Sequence, residues 1–476
     1  MLRLVRPMVL VCALAGVAAT LPSEEPCCAL TYRVRPDPVA GAVDVALTLQ
    51  GFQGDTLTLV RQSARPLTGL LADEPRVEGA DRARWSLVDG APRWAYARPA
   101  AGWPERLIIR YQLLITAERP LNAWSVGLDR DLLYAPAEAL FLVPALAGDA
   151  ADRARVRVRW DLPEGWQAST GSSDDDLRGT RALIKTNILA GDIARHRLAA
   201  CGLTIELAIH GDWGDAPAAL ATQLQQLACA ARHRLGEPQV DRYVVTLVEA
   251  RFPMTSGNRN GPHAIGFVHA LPGGGPPATR LLAHELVHLW QRFDAPMWFQ
   301  EGVNDYMALQ LANEAGLLDD AVLAGQLAAI DSVYREHPER DRHSFADEAE
   351  AVLPYGPSDT YLAYRKGALV GLALDRELRL RTDGYADVAA LWREMNAGTR
   401  WGHVRWTDDE IARQAAELTG GNLEPFFASY VEGIEELPPT DQLLASLTPL
   451  PAKAPPAPGL GALAAFLQNA RARLIR

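Results

Sequence analysis

The first part of the chain alternates apolar and polar residues with a period of two. Such alternation predicts β-strands with one buried face and one solvated face. Glycines and prolines, which favour turns, punctuate the same region. We therefore expect an N-terminal β domain of the sandwich type over residues 29–200. The alternation is clearest at Val43, Val45, Leu47 and Leu49, and at Val156, Val158 and Trp160.

After residue 200 the pattern changes to a mixture of strands and helices. We expect an α+β domain over 201–312, then a mostly helical region over 313–447. Residues 448–476 form a Pro/Ala-rich linker and a short tail. Within the α+β domain we expect a helix over 217–235, strands over 244–248 and 265–270, and a loop over 256–264. The predicted fold class is therefore multidomain α+β.

The amino terminus has the pattern of a secretory signal. Arg3 and Arg6 precede an apolar run over 8–18, and small residues at 17–19 offer a cleavage site. The alternative is a membrane anchor, but the run is shorter than the roughly 20 residues that cross a bilayer. We expect residues 1–20 to be removed, leaving an exported protein with no membrane span. Its location would be periplasmic or extracellular.

The net charge and the cysteine content limit the possible partners and disulfides. The chain of 476 residues has a formal net charge of −11, which argues against a nucleic-acid partner. Export makes disulfides possible. Four cysteines follow the signal, and their three possible pairings stay open at this point. They are Cys27, Cys28, Cys201 and Cys229.

Residues 284–288 form an H-E-x-x-H motif inside an apolar run. On an α-helix, His284 and His288 lie one turn apart on the same face, where two imidazoles can bind one Zn²⁺. Glu285 is then placed to take a proton from a water that the metal activates. The alternative is an ordinary buried helix with two histidines, because this motif also occurs by chance.

A second helix is predicted to begin near Trp298, after a turn at 293–296. Catalytic zinc usually has three protein ligands and one open position, and Glu301 is the candidate for the third ligand. Asp305 lies one turn later and could orient a ligand histidine. The alternative for Glu301 is a solvated glutamate that stabilises the helix amino terminus.

Here the chain resembles the gluzincin zinc metallopeptidases, and within them the glycyl aminopeptidase family. The similarity lies in the H-L-W of residues 288–290 and in the W-x-x-E-G-x-x-D-Y of residues 298–306. It implies a thermolysin-like catalytic domain that follows an N-terminal β domain, with a glutamate as third zinc ligand. Twelve residues separate His288 from Glu301, which is fewer than in the family.

The resemblance extends to a Y-x-K-G motif at residues 364–367 and covers the chain from about 30 to 447. In the family, the tyrosine of this motif stabilises the oxyanion of the tetrahedral intermediate. The resemblance implies that role for Tyr364, since a phenol can donate a hydrogen bond to the developing negative charge. A core tyrosine with a local hydrogen bond is the alternative.

The resemblance also suggests where substrate would bind. It implies that the strand over 265–270 forms the edge of the cleft, where an extended peptide can add as a further strand. His263, Gly266 and His269 are therefore candidate substrate-binding residues. The alternative for both histidines is a plain surface or packing role. Family aminopeptidases hold the free amine of the substrate with a glutamate before this strand, whereas residues 256–269 contain no glutamate.

Together these features predict an exported zinc metallopeptidase with one Zn²⁺ per chain and peptide or protein substrates. The expected form is an aminopeptidase that favours small amino-terminal residues. One alternative is an endopeptidase with the same zinc centre. An alternative of another class is an inactive secreted binding or scaffold protein.

Overall fold

The structure of the chain, a computed structural model, describes residues 28–445 with several gaps. The gaps are 62–68, 81–82, 89–90, 147–149, 171–175, 215, 239–240, 251–253, 260–263, 271–277, 339, 346–361 and 400–404. The predicted signal, Cys27, His263 and the C-terminal linker with its tail lie outside the described residues.

The described residues form twenty strands, all of them in the first 270 residues of the chain. They are β1 (Ala29–Asp37), β2 (Ala42–Gln50), β3 (Thr56–Arg61), β4 (Gly69–Leu71), β5 (Arg76–Val77), β6 (Arg84–Val88), β7 (Ala91–Ala97), β8 (Arg106–Ile115), β9 (Gly127–Asp129), β10 (Leu132–Pro136), β11 (Leu142–Pro144), β12 (Arg155–Trp160), β13 (Gln167–Thr170), β14 (Asp176–Arg178), β15 (Asn187–Gly191), β16 (Ala194–Ala200), β17 (Leu203–His210), β18 (Arg242–Glu249), β19 (Met254–Arg259) and β20 (Ala264–Ala270).

The described residues also form twelve helices, most of them in the second half of the chain. They are α1 (Ala137–Leu140), α2 (Ala150–Arg153), α3 (Thr180–Ile184), α4 (Ala216–Leu235), α5 (Thr279–His288), α6 (Asn304–Glu314), α7 (Asp320–Glu336), α8 (Gly367–Arg381), α9 (Val388–Thr399), α10 (Asp408–Thr419), α11 (Glu424–Tyr430) and α12 (Thr440–Ala445). Two π-helical segments, Trp298–Val303 and Leu362–Lys366, lead directly into α6 and α8. None of the helices in the described ranges is long and apolar enough to cross a membrane.

Three sheets form the N-terminal part of the fold. The largest has the strand order β14-β12-β1-β2-β8-β4, with β5 also paired to β8. The other two have the orders β11-β3-β7-β6 and β13-β15-β10-β9. Their apolar faces share one core, which includes Tyr32, Leu59 and Leu133. The predicted alternation is confirmed in β2, where Val43, Val45, Leu47 and Leu49 are all buried.

The fourth sheet has the order β16-β17-β18-β20-β19, with β17, β18 and β20 parallel and the two outer strands antiparallel. Helix α4 confirms the helix predicted over 217–235 and buries Leu220, Leu224 and Leu227 against the sheet. The same core continues into the helical region through Leu372 and Trp392. The predicted multidomain α+β class is thus observed as several sheets followed by helices that pack around the last sheet.

The loop predicted over 256–264 is wrong in its first half. Met254–Arg259 forms strand β19, which pairs antiparallel with β20. The strand over 265–270 is therefore an inner strand, and the implied cleft edge is β19 instead. The physical reason is the side chain of Asn258. Its amide donates to the carbonyl of Ala123 at 2.6 Å, and its Oδ1 accepts from Gly266 N at 3.0 Å, so a polar residue is satisfied inside a sheet.

One cysteine pairing is settled by the structure. Cys201 and Cys229 form a disulfide, with Cα atoms 5.3 Å apart. The bond ties the turn between β16 and β17 to helix α4. Cys28 is buried beside the N-terminal core.

Candidate metal centre and active site

Helix α5 places the two histidines of the H-E-x-x-H motif in the core. Every residue from Leu282 to His288 is buried, as expected for a helix that other elements surround. His284 and His288 lie one turn apart on one face. Their Nε2 atoms are 3.2 Å apart, so both lone pairs converge on one point.

Glu301 joins the two histidines despite the short linker. Its Oε2 lies 3.3 Å from Nε2 of His284 and 3.4 Å from Nε2 of His288. The chain turns back at Pro296, whose carbonyl accepts from the backbone N–H groups of Phe299 and Gln300. The π-helical segment Trp298–Val303 then presents Glu301 to the helix that precedes it. A compact turn and a π-helical backbone therefore deliver the glutamate that a longer linker delivers in the family.

Two glycines let the π-helical segments cross closely. A Cβ on Gly367 would lie 2.6 Å from the carbonyl oxygen of Trp298, and a Cβ on Gly302 would overlap the backbone of Gly367. Only glycine permits this approach. The crossing brings Tyr364 beside the metal ligands, with its ring stacked on His284 at a centroid distance of 6.0 Å. The glycines of both sequence motifs thus have a packing role.

Hydrogen bonds fix the orientation of both histidines. The Nδ1 of His284 lies 2.9 Å from Oδ1 of Asp305, which also contacts Arg280. The Nδ1 of His288 lies 3.2 Å from Oε1 of Gln291. Since both acceptors require a proton on Nδ1, each Nε2 keeps its lone pair for a metal.

Sequence reasoning identified Asp305 but missed two other residues that support the ligands. Gln291 follows His288 by three residues, which is a spacing at which side chains on successive turns meet. Asn304 donates to the carbonyl of His284 at 3.1 Å, and its amide nitrogen lies 3.0 Å from Nε2 of His288. The three-residue spacing from His288 could have indicated Gln291 in the sequence. The contacts of Asn304 depend on how two helices pack and gave no such signal.

Electrostatics keep Glu301 in the form that binds metals. Burial raises the pKa of Glu301, but His288 and His284 outweigh burial and lower the pKa well below its usual value. For Glu285, burial dominates and raises the pKa, although both histidines oppose it. A carboxylate with a raised pKa is better suited to accept and return a proton near neutral pH. The pKa of Glu301 is thus lowered and that of Glu285 raised, although the two carboxyl groups belong to one site.

Glu285 lies between the ligands and the outer strand of the sheet. A Cβ built on Gly257 of β19 would be 2.8 Å from Oε1 of Glu285. The carboxyl group therefore lies at the narrow space between α5 and β19. The hydroxyl of Tyr364 lies within hydrogen-bonding reach of Glu301. Burial, followed by Glu301, raises the pKa of Tyr364, so its hydroxyl remains protonated.

The donor set fits zinc. One nitrogen from each histidine and one oxygen from Glu301 all lie within 4.8 Å of one another. Two imidazoles and one carboxylate form a set that catalytic zinc uses, and three protein ligands leave a position for water or substrate.

Two of the expected substrate-binding residues are not in the cleft. His269 is fully buried and stacks on Trp213 at a centroid distance of 5.6 Å. Gly266 is buried on the inner strand, on the face toward Asn187 and Tyr134 of the N-terminal part. Neither residue is exposed at the edge of the sheet, because β19 forms the edge that β20 was expected to form, and their contact with substrate stays a prediction. The third candidate, His263, is outside the described residues.

The ligand assignment predicts a loss of metal on substitution. His288→Ala removes one of three donors and is expected to lower zinc content from about one per chain to a small fraction of that value, because two donors bind zinc far more weakly. Metal analysis of the dialysed variant measures this loss. His233→Ala, on α4 and away from the cluster, is the control and should keep its zinc. Near-stoichiometric zinc in His288→Ala would contradict the assignment.

The sequence matches no protein-family model and no curated protein. The fold is similar to solved structures. A crystal structure of an aminopeptidase N family protein from Idiomarina loihiensis has a TM-score of 0.70 and 17% identity, over 87% of this chain and 78% of that chain. An M1 zinc metallopeptidase from Deinococcus radiodurans has a TM-score of 0.52 and 16% identity, over 90% and 95% of the two chains. A mutant M1 zinc metallopeptidase from the same organism, bound to a Tyr-Ser-Ala substrate, has a TM-score of 0.52 and 15% identity. The chain therefore has the fold of these M1 zinc metallopeptidases, and its His-His-Glu group fits one Zn²⁺.

Proposed function

We propose that this chain is a zinc metallopeptidase that hydrolyses peptide bonds. One observation carries the proposal: Glu285 adjoins a His-His-Glu group whose histidines are both oriented by hydrogen bonds. A scaffold protein that merely kept the fold would have no need for this arrangement. The buried carboxylate of Glu285 and the largely buried carboxylate of Glu301 are costly to keep unless a cation or a reaction uses them.

The roles of the residues follow from their positions. Zn²⁺ held by His284, His288 and Glu301 would supply a Lewis acid and make a water nucleophile available near neutral pH. A carboxylate oxygen of Glu285 accepts the proton of that water and then passes it to the leaving amine nitrogen. The hydroxyl of Tyr364 donates a hydrogen bond to the carbonyl oxygen as negative charge develops on it.

Export belongs to the same proposal. The amino-terminal signal predicted over residues 1–20 directs a chain across a membrane. The disulfide between Cys201 and Cys229 supports this location, because disulfides persist in the periplasm and outside the cell.

Two forms of peptidase are compatible with this centre. Aminopeptidase action on small amino-terminal residues is the form expected from the sequence, and the likeness to an aminopeptidase N family fold supports it. Endopeptidase action is favoured by a different observation. The described residues of β19 and β20 include no acidic side chain that could hold a free amine, and β19 carries a cation, Arg259, instead.

A matched pair of peptides separates the two forms. One peptide is prepared with a free amino terminus and again with that terminus acetylated. In the endopeptidase form, the cation of Arg259 at the cleft edge repels an ammonium group, so kcat/KM for the acetylated peptide should equal or exceed that for the free one. Chromatography of the products measures both rates and shows the cleaved bond. A loss of more than about tenfold on acetylation, with release of single amino-terminal residues, would instead establish the aminopeptidase form.

A further inference from the structure

The two faces of strand β19 have different surroundings. Side chains alternate between the faces of a strand. Ser256 and Asn258 point toward the N-terminal part, where Ser256 Oγ accepts from Ala123 N at 3.2 Å and Asn258 contacts Asn187 at 2.8 Å. Gly257 points toward α5, since its Cβ would lie beside Glu285. Arg259 has the same parity as Gly257 and therefore faces the metal ligands.

The backbone of Arg259 lies two residues along β19 from Gly257. Two residues of an extended strand span about 6.5 Å, so the Cα of Arg259 stands about that far from the Cα of the glycine beside Glu285. The charged groups that interact with Arg259 support a side chain directed toward the metal ligands. Burial lowers the pKa of Arg259, while the carboxylates of Glu301, Asp294 and Glu285 oppose that effect. A guanidinium keeps its charge at any pH that proteins tolerate, so the cleft carries a fixed positive charge here.

The outer edge of β19 is where an extended substrate would lie. In the described part of the sheet, β19 is the terminal strand, and its free edge can pair with a peptide backbone. The narrow space beside Gly257 and Glu285 marks the scissile bond. From a backbone position about 6.5 Å along the same face, the side chain of Arg259 can reach a group on a residue one or two positions from that bond. Arginine binds carboxylates with two parallel hydrogen bonds and repels ammonium groups.

We infer that Arg259 is a specificity residue that selects peptides with a carboxylate one or two residues from the scissile bond. This inference rests on the proposed peptidase function and names its substrate class. The carboxylate could belong to an aspartate or glutamate side chain, or to the carboxyl terminus of the substrate. A residue that only stabilised Glu301 or Asp294 would affect all substrates equally, and this difference makes the role testable.

The experiment uses one parent peptide with both ends blocked, and a free-amine counterpart run beside it. Glutamine or glutamate is placed in turn at the two positions on each side of the cleaved bond. A further version of the glutamine peptide has a free carboxyl terminus, which separates the two sources of carboxylate. For the wild-type protein we expect kcat/KM to be about 10- to 100-fold higher for one carboxylate-bearing peptide than for its neutral match.

Variants of Arg259 test whether this preference depends on the guanidinium. Arg259→Gln should bring the ratio of the two kcat/KM values close to one, whereas Arg259→Lys should keep a reduced preference because it retains charge without the planar fork. Arg242→Gln on β18, whose guanidinium pairs with Glu206, is the matched control and should keep the wild-type ratio. Calorimetric binding of both peptides to Glu285→Gln protein gives a second readout that needs no turnover.

The outcomes separate the two claims. If wild-type protein cleaves none of the peptides, the proposed function fails. If it cleaves them with a ratio near one for every position, the inference about Arg259 is overturned while the peptidase function stands. A ratio that persists in Arg259→Gln also overturns it. Should Arg259→Gln fail to fold, the wild-type ratio and the Arg259→Lys ratio still decide.

Discussion

Replacing Glu285 with glutamine is expected to lower kcat for peptide hydrolysis by at least about 10²–10⁴-fold, the usual contribution of a general base. Glutamine keeps the shape of the side chain but cannot accept the proton of the attacking water. Zinc content should stay near one per chain, because the donor atoms belong to His284, His288 and Glu301. Single-turnover rates and metal analysis on the same preparation measure both quantities.

The matched control for this variant is Glu314→Gln. Glu314 lies on α6, the helix that follows Glu301, and pairs with Arg234 away from the cleft. Its substitution should leave kcat within a few-fold of the wild-type value. A Glu285→Gln protein with near-normal kcat would remove Glu285 from the mechanism. Loss of zinc from that variant would instead mean that Glu285 supports the metal rather than the proton transfer.

Tyr364→Phe is expected to lower kcat by about 10²–10³-fold, near the loss of one oxyanion donor. The hydroxyl is protonated because burial raises its pKa, so it can donate to the carbonyl oxygen in the transition state. KM should change little, since the neutral carbonyl of the bound substrate accepts a weaker hydrogen bond than the oxyanion of the transition state. Zinc content should hold, because phenylalanine keeps the ring that stacks on His284.

Tyr306→Phe makes the same chemical change at a core position. The hydroxyl of Tyr306 donates to Asp375 at 2.8 Å, and the residue is fully buried. This variant should lose roughly 1–3 kcal/mol of unfolding free energy and keep its kcat. Thermal unfolding and kcat measured on both variants distinguish the roles. If Tyr364→Phe behaved like this control, Tyr364 would be a packing residue.

The metal centre was predictable because its signals are local. His284 and His288 follow from helical periodicity, and the structure brings Glu301 and Asp305 to them as the spacing along the second helix suggested. The shortened linker could not be judged from sequence. Whether Glu301 reaches the histidines depends on the turn at Pro296 and on a π-helical segment, which crosses the second such segment where Gly302 packs against Gly367.

The strand that forms the cleft edge was not predictable, because the contacts that make it a strand are distant in sequence. Strand β19 has the sequence M-T-S-G-N-R, whose polar residues and central glycine are typical of a loop. Asn258 becomes acceptable in a strand only through partners 71 and 135 residues away in sequence. The position of Arg259 depends on that strand. His269 was expected in the cleft because its strand was expected to form the edge, and its stacking partner Trp213, far away along the chain, gave no signal in the sequence.

We propose that one zinc ion in the His284–His288–Glu301 cluster makes the chain a peptidase. Its most direct test is the rate of peptide hydrolysis by chelator-treated protein as Zn²⁺ is added back in known amounts. We expect the metal-free protein to be inactive and the rate to rise linearly to a break at one zinc per chain. A protein that keeps its rate after the metal is removed, or that stays inactive with one zinc bound, would contradict it.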